Sequence, residues 1–159
     1  MEEEKKSPIL VAVDFSRDSR AALIWACKMA ALSKTPVVVL HVVHDPAEAP
    51  GTYKRDEKDD LRPMEDVAER MMAGFLKSIC EDEVPRKILD RVRTRLVGGL
   101  PVSRILEIAE KEGAALIVMG SQGRTGLDRL LLGSKAEQVV RLSPVPVTIV
   151  KSNVKAGEE

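Results

Sequence analysis

The 159-residue sequence is poor in aromatic side chains and has no excess charge of either sign. Aromatic residues make up 3% of the chain, which leaves few rings on which the bases of single-stranded nucleic acid would stack. The 25 basic and 25 acidic residues cancel, so the chain lacks the basic surplus that drives non-specific binding to DNA or RNA. We therefore expect no nucleic acid partner.

Cysteine and long apolar runs are also scarce. Cys27 and Cys80 lie far apart and in no CxxC spacing, which fits neither a zinc site nor a disulfide framework. No uninterrupted apolar run reaches the roughly 18 residues of a membrane span, and the charged N-terminus is not followed by the apolar region of about 7–15 residues that a signal peptide has. We expect a soluble cytoplasmic protein that does not bind membranes, with residues 1–159 forming one domain whose ordered core spans about 7–151.

Short apolar runs alternate with helical patterns along the chain. Strands are expected at 9–13, 37–43, 91–97, 116–119 and 144–150. Helices are expected at about 17–33, 64–83, 101–113 and 134–142. Ser16 is the expected N-cap of the first helix, and Ser134 and Glu137 form a capping-box pattern at the start of the last. Strands that are apolar throughout are typical of a parallel sheet, so we predict an α/β fold, a doubly wound five-stranded parallel sheet with helices on both faces.

The third strand differs from the others because charged residues alternate along it. Arg91, Arg93 and Arg95 suit a half-exposed edge strand, since exposed charges discourage edge pairing. With that strand at one edge, the economical order is 3-2-1-4-5, in which the first and fourth strands are central neighbours. An anion site built from the three arginines is the alternative interpretation.

Glycines follow the fourth strand, at the edge of the sheet where open α/β proteins bind ligands. In the order 3-2-1-4-5 the winding reverses between Asp14 and Gly120, and such a switch point is the usual ligand site. Gly120 and Gly123 lack a Cβ atom, which lets backbone approach a phosphate closely and permits positive φ. Gly133 and Ser134 start a helix, whose unpaired N–H groups attract anions. This pattern predicts a nucleotide-phosphate cradle.

Polar side chains extend this predicted site. The Ser134 hydroxyl is a donor, Arg124 and Lys135 are cations that offset phosphate charge, and the Asp14 carboxylate can accept hydrogen bonds from ribose hydroxyls. The alternative is that the glycines only shape turns and Ser134 only caps its helix. The sequence contains neither the P-loop pattern nor G-x-G-x-x-G, and His44–Asp45 offers two candidate metal ligands without a third. No metal ligand or catalytic residue is assigned.

The spacing of the glycines resembles that of a known family. Gly120-x-x-Gly123, nine intervening residues and Gly133-Ser134, preceded by Val118-Met119 and followed by Pro144-Val145-Pro146-Val147, resemble the nucleotide-binding branch of the universal stress protein family. Two further segments, Val11–Ser16 and Leu40–Val42, resemble the first two strands of that family. The likeness therefore spans nearly the whole chain.

The resemblance implies an adenine-nucleotide alpha-hydrolase-like fold and a site for ATP, ADP or AMP, often with Mg or Mn. By matching positions, Asp14 and Val42 would contact the adenosine moiety, and Ala12 and Met119 would lie close to it. The phosphates would be held by Gly120, Gly123, Gly133, Ser134 and the Lys135 amide. Ala12 stands where some members have proline, and Lys135 where some have an apolar residue, so the preferred nucleotide is less defined than the site.

The same resemblance implies a stress-response or signalling module that works as a homodimer. The last strand, about Val145–Val150, supports this independently, because it would be an apolar edge that pairing with a second copy closes. Two alternatives remain: a slow ATPase or phosphotransferase, for which no base beside the γ-phosphate is recognisable, and a dimeric scaffold that needs no ligand.

Overall fold

Strands and helices alternate along the chain of the computed structural model, which describes residues 5–44, 62–79, 82–122 and 131–152. Arg124, Gly123 and Cys80 lie outside the described residues. The elements in chain order are β1 (Ile9–Ala12), α1 (Arg17–Ser33), β2 (Val37–Val43), α2 (Arg62–Lys77), α3 (Arg86–Leu89), β3 (Arg93–Gly98), α4 (Pro101–Glu112), β4 (Leu116–Gly120), α5 (Ser134–Leu142) and β5 (Val147–Val150).

The five described strands form one parallel sheet in the order β3-β2-β1-β4-β5. The central pair is β1 and β4, in a register that sets Ala12 beside Met119. The predicted fold class and strand order are confirmed. Because the winding direction reverses between β1 and β4, the carboxyl ends of these strands flank a crevice.

Successive strand residues point to opposite faces of the sheet and build two apolar layers. On one face Ile9 and Val11 pack with α1 and with Met72 and Phe75 of α2. On the other face Leu10 packs with α4 and α5. Strands buried on both sides explain why the central runs are apolar throughout rather than alternating.

The helices begin and end where local side chains dictate. Ser16 caps α1 by accepting a hydrogen bond from the Ser19 N–H at 3.2 Å, as predicted. Gly113 ends α4 in the left-handed conformation, at φ 62°. The helix predicted over 64–83 instead spans Arg62–Lys77, and the short α3 follows Pro85, which was not predicted to start a helix. No helix in the described part of the chain is long and apolar enough to cross a membrane.

The edge strand β3 carries arginines that are already paired. Arg93 and Arg95 both contact the carboxylate of Glu112 at the end of α4, whose side chain is 11% exposed. Their charges hold strand to helix, and neither side chain lines the large cleft described below. This pairing engages two of the three arginines of the alternative anion site, and the third, Arg91, precedes β3.

Candidate functional site

A cleft of about 480 Å³ lies at the carboxyl edge of the sheet. Its walls come from the ends of β1, β2 and β4, from α2, and from the first residues of α4 and α5. This volume is in the range of pockets that hold small molecules and cofactors, roughly 300–1,000 Å³. The cleft lies at the switch point of the sheet, where the strand order places the ligand site of open α/β proteins.

The cleft brings together the predicted site residues that the structure describes. The lining includes Ala12, Asp14, Val42, Met119, Gly120, Gly133, Ser134 and Lys135. The other two predicted residues, Gly123 and Arg124, lie outside the described residues. Residues that are more than a hundred positions apart in the sequence thus share one cavity wall.

Apolar side chains and one carboxylate form the part of the cleft next to β1 and β2. Ala12, Val42 and Met119 are each less than a tenth exposed and present an apolar surface. Asp14 follows β1, and its Oδ1 accepts a hydrogen bond from the Ser16 N–H at 3.0 Å. That bond fixes the carboxylate at the mouth of the switch point, where it remains part of the cleft wall.

Phe15 is a wall residue with an unusual backbone. Its φ is 65°, a left-handed conformation that non-glycine residues rarely adopt and that costs on the order of 1 kcal/mol. The ring lies 4.3 Å from that of His41 and 5.4 Å from that of Phe75, measured between centroids. His41 Nδ1 donates to the Val13 carbonyl at 2.8 Å, which holds the imidazole in place. Sequence analysis missed Phe15 and His41 because ring packing between distant segments leaves no local pattern.

Helix α2 supplies an apolar wall of the cleft. Met72 and Phe75 are buried against the sheet, at 3% and 8% exposure. Val67 and Met71 are 41% and 36% exposed and line the cleft instead. The helix lies across the cleft, so one flank of its apolar stripe packs on the sheet and the other faces the cavity.

The N-terminus of α5 also faces the cleft, but its cap differs from the prediction. Gly133, not Ser134, is the N-cap residue, and glycine has no side chain with which to cap the helix. The Gly133 N–H donates to the Ser121 carbonyl at 2.7 Å, which anchors the chain one residue before the helix begins. Ser134 is therefore the first helical residue, and the predicted capping box is wrong. Since the first turn lacks helical acceptors, the N–H groups of Ser134, Lys135 and Ala136 are available for an anion.

Gly120 is needed for close packing rather than for positive φ. Among the described glycines, positive φ occurs at Gly99 and Gly113. A Cβ atom on Gly120 would lie 2.6 Å from the Asp18 carbonyl carbon and 2.8 Å from the Ser19 nitrogen. Gly120 lines the cleft, yet the backbone of α1 is what excludes a side chain there.

The Asp18 carboxylate lies behind the cleft and was not singled out from the sequence. Its Oδ2 accepts from the Ser121 hydroxyl at 2.6 Å, and its Oδ1 accepts from the Ser152 hydroxyl at 2.6 Å. Burial alone would raise its pKa, but the hydrogen bonds from Ser121, Ser152 and Gln122 outweigh burial and hold the pKa below its usual value of 3.8. A negative charge in the first turn of a helix is stabilised by the helix dipole, which is sufficient reason for an aspartate at this position. The sequence therefore gives no sign of the contacts that Asp18 makes with distant residues.

The structure gives no protein metal site in the part that it describes. Across the described ranges, no group of three or more His, Cys, Asp or Glu side chains is placed to hold a metal ion. Of the two candidate ligands noted in the sequence, His44 is exposed and lines the cleft, and Asp45 lies outside the described residues.

Fold and cleft define an open α/β protein with a cavity of small-molecule size at its switch point. The sequence model of the universal stress protein family matches residues 7–151. The chain belongs to the universal stress protein family.

Individual relatives agree with this assignment. Universal stress protein MJ0577 of Methanocaldococcus jannaschii is 30% identical over 90% of this chain and 93% of its own length. Universal stress protein Rv2005c of Mycobacterium tuberculosis is 31% identical over 94% of this chain, which spans only 49% of that protein. The solved structure of MJ0577 covers 96% of this chain with a TM-score of 0.71 and 29% identity.

A further solved structure has the same fold with a nucleotide bound. It is the universal stress protein from Archaeoglobus fulgidus in complex with dAMP, which covers 93% of this chain and 100% of its own with a TM-score of 0.61. At 23% identity this likeness concerns the fold.

Proposed function

We propose that this universal stress protein binds ATP or another adenine nucleotide in the switch-point cleft and acts as a stress-response or signalling module in the cytoplasm. The observation that carries the proposal is the convergence of an apolar wall, the Asp14 carboxylate and the free N-terminus of α5 on one cavity. A nucleotide has the matching parts: a flat base, ribose hydroxyls and phosphates.

Each part of the nucleotide has a chemical counterpart in the cleft. Ala12, Val42 and Met119 offer an apolar surface to the base, and Asp14 offers carboxylate oxygens to the ribose hydroxyls. The N–H groups of Ser134 and Lys135, and the Ser134 hydroxyl, would donate to phosphate oxygens. Gly123 and Arg124 are proposed at the phosphates from the glycine spacing. The dAMP complex of the Archaeoglobus fulgidus relative is consistent with a ligand of this class.

Mg or Mn would enter with the nucleotide. Since the described residues hold no cluster of three acidic, histidine or cysteine side chains, such a metal would take most of its ligands from phosphate oxygens and water. The metal would then neutralise phosphate charge, and affinity would not require a preformed protein site.

Binding rather than turnover is the proposed purpose of the cleft. Phosphoryl transfer requires a group that orients the attacking nucleophile and cations that stabilise the transferred charge. Asp14 is engaged with the Ser16 N–H next to the apolar part of the cleft, and Lys135 lies at the first turn of α5. A slow ATPase remains the alternative, and steady-state phosphate release well above background, abolished in Ser134→Ala, would favour it.

The active unit is proposed to be a homodimer that pairs through β5 and its flanking residues, about Val145–Val150. β5 is the last strand of the sheet, with β4 on one side only, and its residues are apolar except Thr148. An apolar edge of this kind is normally covered, and pairing with the same strand of a second copy covers both edges. A ligand-independent dimeric scaffold is the remaining alternative.

Calorimetry on protein freed of ligand tests the proposal. We expect heat on titration with ATP, and a loss of ATP affinity of roughly tenfold to a hundredfold in Ser134→Ala, since a hydrogen bond to a charged group contributes about 1.5–3 kcal/mol. Ser33→Ala is the matched control, because that exposed serine ends α1 and does not line the cleft. The absence of heat and of a thermal shift with ATP, ADP and AMP would refute nucleotide binding.

A further inference from the structure

One carboxylate joins three separate segments of chain behind the cleft. Asp18, in the first turn of α1, accepts on Oδ2 from the Ser121 hydroxyl at 2.6 Å and the Gln122 N–H at 3.1 Å. On Oδ1 it accepts from the Ser152 hydroxyl at 2.6 Å and the Ser152 N–H at 3.2 Å. The first two donors belong to Ser121 and Gln122, which directly follow β4, and the other two belong to Ser152, just beyond β5.

The fit requires both a small neighbour and a negative charge. Gly120 lets α1 approach the end of β4, since a Cβ atom there would lie 2.7 Å from the Asp18 Cβ. All four hydrogen bonds present a hydrogen to Asp18, so only a group with two acceptor oxygens satisfies them. An asparagine would turn its NH₂ group toward one pair of donors. The ionised carboxylate is therefore the state that this arrangement selects.

Ser121 and Gln122, which donate hydrogen bonds to Asp18, also make hydrogen bonds to the residues just before α5. The Ser121 carbonyl accepts from the Gly133 N–H at 2.7 Å, and the Gln122 side-chain amide donates to the Leu131 carbonyl at 3.1 Å. Two hydrogen bonds therefore join Ser121 and Gln122, which follow β4, to Gly133 and Leu131, which precede α5. Ser121, Gln122 and Gly133 line the cleft, whereas Asp18 does not.

From these contacts we infer that Asp18 is a positioning residue for the phosphate end of the cleft and couples that end to the chain that follows β5. The inference rests on the proposed nucleotide site. Asp18 acts through Ser121 and Gln122: it sets where Gly133 and the free N–H groups of α5 stand relative to the sheet. The apolar wall formed by Ala12 and Val42 belongs to β1 and β2, which this set of hydrogen bonds does not include.

This arrangement predicts a selective loss in Asp18→Asn. ATP depends on the position of the α5 N-terminus, so its dissociation constant is expected to rise about tenfold. Adenosine has no phosphate, so its dissociation constant is expected to change less than twofold. Asp90→Asn is the matched control, since it removes an exposed aspartate paired with Arg86 on α3, and it should leave both constants unchanged. Equal losses for ATP and adenosine in Asp18→Asn would overturn the inference.

A second measurement needs no nucleotide. Amide hydrogen exchange followed by NMR in the ligand-free protein should show faster exchange at Gln122 and Gly133 in Asp18→Asn, with Leu10 and Val11 of β1 still protected. Protection at Gln122 and Gly133 that matches the wild type would overturn the inference. If the wild type binds neither ATP nor adenosine, the proposed function fails. The exchange result alone then decides whether Asp18 positions Gln122 and Gly133.

A milder variant serves if Asp18→Asn does not fold. Ser152→Ala removes one donor to Oδ1, and Ser152 does not line the cleft. This variant is expected to raise the dissociation constant of ATP about threefold and to leave that of adenosine unchanged. An unchanged ATP affinity in Ser152→Ala would refute the inferred coupling between the phosphate end of the cleft and the chain after β5.

Discussion

Gly120 shows how a single residue meets two requirements that the sequence does not separate. It ends β4 and lines the cleft, and the resemblance to nucleotide-binding relatives assigns it to the phosphates. Its missing side chain also leaves room for the backbone of α1 at Asp18 and Ser19. Packing therefore constrains this position whether or not the proposed nucleotide binds, and we expect a substitution there to affect folding first.

Gly120→Ala is expected to destabilise the protein by about 1–3 kcal/mol, because backbone of α1 lies within 3 Å of the added methyl group and must move. Gly74→Ala is the matched control: its Cβ would meet nothing within 4 Å, and it lies within α2. There alanine should stabilise by about 0.5–1 kcal/mol. Equilibrium urea unfolding of both variants measures these changes. Wild-type stability in Gly120→Ala would contradict the packing argument.

Hydrogen bonds between elements make the stability of the fold depend on pH. Asp18 links α1 to the ends of β4 and β5, and its pKa in the folded protein lies below the usual 3.8. A group with a lowered pKa contributes stability that is fully present above the pKa of the unfolded chain. That contribution is lost as the pH falls through the folded-state pKa.

We expect the free energy of unfolding of the wild type to exceed that of Asp18→Asn by a constant amount from about pH 7 to pH 5. Below about pH 3.8 the difference should shrink, because the wild-type carboxylate becomes protonated and no longer accepts all four hydrogen bonds. Urea unfolding at a series of pH values measures it. A difference that is independent of pH down to pH 3 would show that Asp18 does not act through its charge.

At the scale of the whole molecule, the proposed dimer depends on the open edge of β5. Pro146 and Val150 accept backbone hydrogen bonds from β4, at Ile117 and Ser121. Since the backbone groups of a strand alternate in direction, Ile149 directs its N–H and C=O away from β4, to the open edge. A second copy would pair with those groups.

The wild type is expected to sediment as a dimer, at twice its chain mass of 17.4 kDa. Ile149→Pro removes the outward N–H and leaves the pairing with β4, so it should give a monomer. Ile149→Ala is the control for the lost side chain and should remain a dimer. Analytical ultracentrifugation distinguishes these states. A monomeric wild type, or a dimeric Ile149→Pro, would refute pairing through β5.

Much of the architecture can be predicted from the sequence because it depends on local patterns. Apolar runs, helical spacing and the Ser16 cap predicted most strands and helices close to the observed ones. The charged edge strand led to the correct order of the sheet, since exposure of β3 is recorded in its own residues. That order alone places Asp14 and Gly120 at the switch point.

The features that the sequence did not predict depend on contacts between distant segments. Only the tertiary structure shows that Gly133 caps α5, because the Ser121 carbonyl holds its N–H. Likewise, Met71 lines the cleft because α2 crosses it, and Asp18 meets Ser152 across 134 positions. The sequence by itself therefore determined most of the elements and their order, since these follow from periodicity and from the charges along β3. The set of site residues stays a prediction, and its described members line one cleft. Only packing in three dimensions decided how that set is held in place, because hydrogen bonds between distant residues leave no trace in local sequence.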